Sequence, residues 1–193
     1  FDADMSGLDV SYDKMYQTFK NIFKKCNLDT IVVKSNPESM KGTTSEEFQV
    51  LCNFGDNEIV KCTTCSYSSN IEEASSLIKD KKDKSYDIKM LRKVYTPGVK
   101  TVKELKEHFN VDDDKILKSL VIKADSKYIM ILLKGSDELN ISKLERVLKT
   151  KNIEIPSVYE LEKIGTEVGF IGPIKTTMKV IADAEVKNMH NVI

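Results

Sequence analysis

Apolar residues recur along this chain at two spacings, and each spacing predicts a different kind of element. Over residues 11–26 they recur every three or four positions, which predicts an amphipathic helix that ends at Asn27. Short continuous apolar runs predict buried strands, and these runs are 30–33, 120–123, 128–133 and 179–182. We expect 128–133 to be a central strand that pairs with 120–123.

A strict alternation of apolar and polar residues predicts a further pair of strands. Residues 47–54 alternate, Gly55-Asp56-Asn57 interrupts the pattern, and residues 58–60 resume it. Two strand-like runs separated by a short turn-forming gap are typical of a β-hairpin. We therefore predict that 47–54 pairs with 58–60.

Capping side chains predict where the other helices begin. In a capping box, a Ser, Thr or Asn and a Glu three positions later satisfy the first free N–H groups of a helix. The chain has this pattern at Thr101 with Glu104, Ser157 with Glu160 and Asn70 with Glu73, and single caps are expected at Asp112, Asn140 and Asp183. The helix after Asn70 should reach Ile78, and the helix after Asp112 should run through Leu117 up to Lys118.

Proline and glycine predict two turns. Pro97 fixes its own φ and Gly98 tolerates a positive φ, so residues 95–98 should form a turn directly before the Thr101 helix. The second turn is the G-x-x-G-P run of residues 169–173. Strands and helices do not alternate in a regular βαβ order, so the predicted fold class is α+β (mixed α/β), with a mixed sheet flanked by helices.

Length and composition are those of a globular protein. The 193 residues, of which 40% are hydrophobic, suffice for one large domain or two small ones. No run approaches the eighteen apolar residues that span a bilayer, so we predict no membrane contact. Four cysteines are too few and too unevenly spaced for a disulfide scaffold, which favours a reducing cytoplasm.

Charge is balanced overall and uneven locally. Lys and Arg together number 30, as do Asp and Glu. Between Lys79 and Lys106, however, ten residues are basic and four are acidic, which would suit a phosphate backbone, although a solvated surface gives the same pattern. The Lys/Asp-rich residues 79–88 are predicted to be a charged linker.

The C-x-x-C pair Cys62 and Cys65 is the one apparent metal or redox motif. A tetrahedral zinc site needs two further thiolate or imidazole ligands, and no second pair of such residues follows in the sequence. No βαβ context accompanies the motif either, as it would in a thioredoxin-like protein. We therefore predict a structural turn and no metal site.

Several motifs in the second half of the chain resemble one known family. These are T-P-G with K-T-V-K-E-L, K-S-L-V-I-K, G-S-D-E-L-N, G-x-x-G-P and V-I-A-D, in this order. Together they resemble the YbaK-like editing domain that is inserted in bacterial prolyl-tRNA synthetases. The resemblance implies a mixed-sheet editing domain over residues 89–193, truncated at its C-terminal end, with Thr96, Lys118, Gly169 and Gly172 lining a deacylation pocket.

Motifs in the first half resemble the class II aminoacylation domain of the same enzymes. They are F-D-A-D, a Tyr- and Phe-rich helix, a G-x-x-S-x-E-F loop and C-x-x-C-x-Y-x-x-N-x-E-x-A. The resemblance implies part of an antiparallel-sheet domain over residues 1–78, within a longer protein, with Ser45, Glu46 and Phe48 bordering a prolyl pocket. At two loop positions this chain has Lys41 and Glu46 where the family usually has Gly and His.

The resemblance also implies activities and partners. Editing would remove alanine from mischarged tRNA(Pro) without a cofactor, whereas the intact enzyme, a cytoplasmic homodimer, would join proline to tRNA(Pro) using ATP and Mg²⁺. The attacking group would be a water molecule, with Lys118 holding a phosphate or polarising the ester carbonyl. Two alternatives remain open: a synthetase paralogue that only binds tRNA or a partner, and a stand-alone aminoacyl-tRNA deacylase. A lysine such as Lys118 is also commonly a plain surface residue.

Overall fold

A computed structural model of the 193-residue chain describes residues 2–35, 45–78 and 87–193. The chain divides into two compact units, Phe1–Ser76 and Leu77–Ile193. The predicted loop containing Lys41 and all but two residues of the predicted linker lie outside the described residues.

Helix α1, Met5–Lys25, opens the first unit. It begins earlier than the apolar stripe predicted, because the Asp4 carboxylate accepts a hydrogen bond from the Gly7 N–H at 2.7 Å and so caps a polar first turn. At its other end Asn27 has φ 56°, which confirms the predicted left-handed C-terminal residue.

Four strands form the described sheet of the first unit: β1 Thr30–Ser35, β2 Ser45–Val50, β3 Ile59–Lys61 and β4 Ser68–Asn70. Their order is β2-β1-β4-β3, with β1 antiparallel to β2, β3 antiparallel to β4, and β1 parallel to β4. The predicted pairing of 47–54 with 58–60 is wrong. Alternation located both strands, but it carries no information on which strand lies beside which.

The predicted helix after Asn70 is also wrong. Asn70 is the last residue of β4, and its backbone carbonyl accepts the N–H groups of Glu73 and Ala74 at 3.0 and 2.9 Å. These bonds close a single turn, and residues 74–78 continue without helix or strand. The Asn70 side chain does accept the Glu72 N–H at 3.1 Å, so the predicted cap starts a turn that does not continue into a helix.

The second unit contains a mixed sheet. In the described residues it consists of β5 Leu117–Ala124, β6 Lys127–Lys134, β7 Ile153–Glu154 and β8 Lys179–Ala182, in the order β7-β5-β6-β8. β6 pairs antiparallel with β5 and parallel with β8, which confirms the predicted mixed sheet and the predicted central strand.

The helix predicted after Asp112 is shorter than expected. A 3-10 turn covers Asp113–Lys115, the Asp112 side chain makes no capping bond, and Ile116 is already extended. Leu117 and Lys118 belong to β5. Pairing with β6 therefore extends the strand towards its N-terminus at the expense of the helix.

The remaining helices begin where the caps predict. Helices α2 Val102–Phe109 and α4 Val158–Lys163 both have a complete capping box, and Asn140 caps α3, Ile141–Leu148. Asp183 caps a 3-10 helix, Ala184–Asn188, as predicted. No helix within the described residues combines the length and the apolar character that crossing a bilayer requires.

The core of the second unit lies between one face of the β5–β6 pair and α3. Its fully buried members are Ile122, Ala124, Ile129, Ile131, Leu133 and Leu144. Burying an aliphatic side chain of this size contributes about 1.5–3 kcal/mol, so this cluster is the main stabilising feature of the unit. It holds β5 and β6 against α3, and Lys118 is the one candidate site residue that lies on these two strands.

Candidate functional site

The Pro97 turn positions Thr96. The Val99 N–H donates to the Thr96 carbonyl at 3.3 Å, and Gly98 has φ 75°, so Thr96–Val99 is a type II turn with glycine at its third position. This confirms the predicted turn. Thr96 is half-buried within it.

The residue after this turn, Lys100, is held by the α2 capping box. The Glu104 carboxylate accepts the backbone N–H groups of Lys100 and Thr101, both at 2.8 Å. Both bonds lower the pKa of Glu104, and the bond from Lys100 has the larger effect. The backbone of Lys100 is therefore fixed at the N-terminus of the helix.

A turn over residues 167–170, which we call the glycine turn, packs directly against Lys100 and begins two residues before the predicted turn at 169–173. The Phe170 N–H donates to the Glu167 carbonyl at 2.9 Å, and Gly169 has φ 89°, which makes a second type II turn. A Cβ atom on Gly169 would lie 2.6 Å from Lys100 Cβ, so only glycine allows this approach. Two segments that the sequence predicts at the site, around Thr96 and Gly169, thus meet at one place, which we call the two-turn junction (residues 96–100 and 167–170).

Lys100 also binds the glycine turn through its side chain. Its ammonium lies 3.6 Å from Glu167 Oε1 and 5.5 Å from the centre of the Phe170 ring. Both contacts are largely exposed, so each contributes little to stability on its own. Together with the glycine contact they determine how the junction is assembled.

Gly172 lines a cavity of about 1240 Å³ at the hairpin end of β5 and β6. Residues 124–130 form one side of the cavity, and residues 164–179 supply much of the other. Two aromatic rings, three lysines and two carboxylates are among its lining residues; these are Tyr128, Phe170, Lys127, Lys175, Lys179, Asp125 and Glu167. Nothing lies within 4 Å of a Cβ built on Gly172.

Lys118 lies at the other end of the sheet. It pairs with Leu133, six residues before Ala124, which corresponds to about 20 Å along an extended strand. The side chain is 17% exposed, and Nζ lies 3.1 Å from Glu138 Oε1, whose own side chain is 92% exposed. The ammonium is thus held near the surface by a carboxylate that solvent reaches freely.

Asp183 belongs to the same end of the sheet as Lys118. β8 runs parallel to β6, and the Asp183 N–H donates to the Leu132 carbonyl at 2.9 Å, one residue from the partner of Lys118. The Asp183 carboxylate accepts the Glu185 N–H at 2.8 Å. The predicted site residues are therefore divided: Thr96 and Gly169 come together, whereas Lys118 and the Gly172 cavity lie at opposite ends of β5.

Two of the three residues predicted at a prolyl pocket line a groove of about 640 Å³ in the first unit. Glu46 accepts a hydrogen bond from the Tyr12 hydroxyl at 2.9 Å; burial, and then this carboxylate, raises the pKa of Tyr12. The Phe48 ring lies within 6 Å of three aromatic rings of α1, those of Tyr16, Phe19 and Phe23. Ser45 begins β2 opposite Ser35.

Sequence reasoning assigned no role to two residues that the structure places beside predicted site residues. Glu138 is the partner of Lys118, and Lys100 joins the two turns. Glu138 lies in the G-S-D-E-L-N motif, which could have drawn attention to it. Lys100 directly precedes the Thr101 capping box, but nothing in the sequence indicates its contact with Gly169.

Comparison with known proteins gives matches over both units. The family model described as "aminoacyl-tRNA editing domain" matches residues 96–193. Over its whole length the chain is 40% identical to a proline–tRNA ligase of Caldicellulosiruptor bescii and 37% identical to that of Caldicellulosiruptor saccharolyticus, and it spans 34% of each. A solved structure of a candidate trans-editing enzyme for prolyl-tRNA synthetase is 20% identical, with a TM-score of 0.43, over 47% of this chain and 59% of that one.

Proposed function

We propose that this chain, which belongs to the aminoacyl-tRNA editing domain family, hydrolyses the ester bond of a mischarged tRNA. The observation that carries the proposal is the family match over residues 96–193, which includes Thr96, Lys118, Gly169 and Gly172. Similarity of the whole chain to proline–tRNA ligases supports tRNA(Pro) as the nucleic acid, and we propose alanine as the amino acid to be removed because of its size.

The need for such an activity follows from the size of proline. A pocket that accepts proline cannot sterically exclude alanine, and the lost methylene contacts discriminate by only about 1–3 kcal/mol. A second site that admits the smaller amino acid and rejects the larger one removes the resulting error. Hydrolysis at this second site returns free tRNA and free alanine.

In the proposed reaction a water molecule attacks the ester carbonyl carbon. The bond between that carbon and the terminal ribose oxygen breaks, and the ribose hydroxyl and the amino acid carboxylate are released. Backbone N–H groups of the glycine turn would stabilise the developing oxyanion, and the neighbouring ribose hydroxyl would help to orient the water. Because Lys118 lies at the opposite end of β5 from this turn, it would hold a phosphate of the tRNA if the ester binds at the glycine turn. If the ester binds at the Lys118 end of the sheet, Lys118 would polarise the carbonyl in place of the glycine turn, with the exposed Glu138 giving way to the substrate.

We propose that the first unit is part of a class II aminoacylation domain, with the division of the chain at residues 1–78, 79–88 and 89–193. Because the chain spans 34% of its relatives, proline activation with ATP and Mg²⁺, homodimer formation and a cytoplasmic location are proposed for the intact enzyme only. In residues 2–35, 45–78 and 87–193 no group of three or more His, Cys, Asp and Glu side chains could hold a metal ion.

The test is hydrolysis of alanyl-tRNA(Pro) by the purified chain and by its Lys118→Ala variant. We expect the substitution to lower the rate about 100-fold or more, as the loss of a transition-state donor does. Lys115→Ala is the matched control, because Lys115 is exposed and lies three residues away in the neighbouring 3-10 turn. Equal rates for the parent chain and the Lys118 variant, with both folded, would refute the assignment of Lys118.

A binding-only paralogue is the second candidate. The observation that favours it is the hydrogen bond between Glu46 and Tyr12 in the first unit, which places a carboxylate where the related enzymes usually have histidine. This candidate predicts that the chain binds tRNA(Pro) without hydrolysing alanyl- or cysteinyl-tRNA. A stand-alone deacylase, in contrast, would hydrolyse one of these esters without needing the first unit.

A further inference from the structure

Cys62 and Cys65 lie on the short connection between β3 and β4. The Cys62 N–H donates to the Tyr67 carbonyl at 2.9 Å, which continues the β3–β4 pairing and closes the loop between these two residues. Both thiols are free, with Cys65 exposed and Cys62 partly exposed. The two sulfur atoms are therefore accessible to small molecules and held on a turn anchored at both ends.

Hydrogen-bond donors converge on the sulfur of Cys62. The Thr64 N–H donates to it at 3.4 Å, and the Thr64 hydroxyl oxygen lies 3.2 Å away. Cys65 Sγ in turn accepts the Tyr67 N–H at 3.5 Å, so the second sulfur is positioned as well.

These donors favour the thiolate form of Cys62. The bonds from Thr64, and then those from Cys65, lower the pKa of Cys62 from 9.0 to about 6. The Cys62–Tyr67 hydrogen bond closes the loop that carries both cysteines, so the two side chains lie on one tight turn. The arrangement thus provides an attacking thiolate and a second thiol within reach of it.

We propose that Cys62 and Cys65 form a thiol–disulfide exchange site whose substrate is a low-molecular-weight disulfide, with Cys62 attacking and Cys65 resolving. The Cys62 thiolate bonds to one sulfur of the small disulfide and expels the other half as a thiolate. Cys65 loses its proton to solvent and attacks Cys62 Sγ, which expels the second half. Two protein thiols are oxidised by two electrons, and the small disulfide is reduced to two thiols.

The surroundings of the pair favour this chemistry over zinc binding. Within the described residues no cluster of three or more potential metal ligands exists, so the two thiolates have no third protein ligand there. A disulfide needs only the two sulfur atoms. Stoichiometric zinc binding by the reduced pair would therefore contradict the proposal.

The test uses the full chain with Cys26→Ser and Cys52→Ser, two exposed cysteines outside the turn. With oxidised glutathione we expect the loss of two hydrogens in mass, a Cys62–Cys65 disulfide on peptide mapping, and recovery of both thiols with dithiothreitol. Adding Cys65→Ser should trap a glutathionyl group on Cys62. Adding Cys62→Ser instead should slow the reaction about tenfold at pH 6, because the larger thiolate fraction of Cys62 outweighs its weaker nucleophilicity.

Alkylation measured against pH separates a reactive cysteine from an ordinary exposed one. In the folded chain the midpoint for Cys62 should lie near 6, and in urea it should rise towards the ordinary value of about 8.5. Thr64→Val removes the hydroxyl donor and should raise the midpoint in the folded chain. This comparison of folded and unfolded chain needs no substitution of the pair itself.

Three results would overturn the proposal. One is an alkylation midpoint for Cys62 that is the same in the folded and the urea-unfolded chain. Another is the absence of a trapped glutathionyl group in the folded Cys65→Ser variant. The third is stoichiometric zinc binding by the reduced pair that prevents oxidation by glutathione.

Discussion

Gly169 and Lys100 show how single residues determine the candidate site. The backbone of Gly169 lies against Lys100 so closely that a methyl group there would overlap its Cβ and Cγ atoms. The same glycine has φ 89°, a conformation that side chains disfavour. Both features act on one position, so the two-turn junction depends on this glycine more than on any charge near it.

Gly169→Ala should therefore destabilise the second unit by about 1–3 kcal/mol, through backbone strain and the contact with Lys100. Gly172→Ala is the matched control, since a Cβ at Gly172 meets nothing within 4 Å; a change within about 0.5 kcal/mol is expected. Urea unfolding followed by circular dichroism measures both. Equal midpoints for the two variants would contradict the close packing at Gly169.

The Gly172→Ala variant also tests whether the amino acid binds in the cavity. A methyl group on Gly172 would project into open space beside residues that line the 1240 Å³ cavity. If the amino acid binds there, Gly172→Ala should lower the rate of alanyl-tRNA(Pro) hydrolysis at unchanged stability. An unchanged rate would place the amino acid elsewhere, with the end of the sheet that carries Lys118 as the next region to test.

At the scale of elements, helix α4 is attached to the sheet by one carboxylate. Glu160 accepts the N–H and hydroxyl of Ser157, both at 2.9 Å, and the Lys123 ammonium of β5 at 2.9 Å. The contact with Lys123, and then those with Ser157, lower the pKa of Glu160 from 4.5 to about 2. One side chain thus serves as both the helix cap and the link between α4 and β5.

This link should make stability depend on pH. A depressed pKa in the folded state stabilises the protein above the unfolded-state pKa, and the contribution is lost as the pH falls from about 4.5 to about 2. Glu160→Gln should therefore lower the melting temperature at pH 7, and the difference from the parent chain should shrink over that range. Glu104→Gln in α2 is the control, because Glu104 completes the same kind of capping box as Glu160. A difference that stays constant from pH 7 to pH 2 would contradict the proposed role of Glu160.

Helix caps and the pairing of β5 with β6 could be read from the sequence, whereas the partners of β2 and β3 could not. The Thr101–Glu104 and Ser157–Glu160 boxes occurred as predicted because both partners lie within one turn. Asn70–Glu73 has the same spacing, and the Asn70 side chain accepts the Glu72 N–H at 3.1 Å, but a single turn follows it and no helix. The pairing of β2 with β1 instead of β3 depended on contacts between distant residues.

At the scale of the whole molecule, the two units differ in how much apolar surface they bury. Among the described residues, Val33 is the one buried hydrophobic side chain of the first unit, and no residue of α1 is buried. The second unit contains the other buried hydrophobic residues, from Ile116 to Leu161. Burial of apolar area is the main stabilising term, so the second unit should be the more stable one by itself.

Hydrogen exchange followed by mass spectrometry should show this difference. Amides of β5 and β6 are expected to exchange most slowly, and those of β1–β4 to exchange faster because they open by local unfolding. In urea the first unit should unfold at a lower concentration than the second. Equal protection in both sheets would mean that the burial of single side chains does not govern the stability of the units.

The sequence by itself determined the Pro97 turn, the capped starts of α2, α3 and α4 and the central strand. It also gave the fold class and the family resemblance, because each of these depends on residues close together in the chain or on motifs in a fixed order. Tertiary structure alone decided that β2 pairs with β1 and β3 with β4, and that Gly169 lies against Lys100. It also decided that Lys118 is held by Glu138 at the end of β5 away from the Gly172 cavity. These contacts join residues far apart in sequence, and their formation depends on the packing of the whole unit.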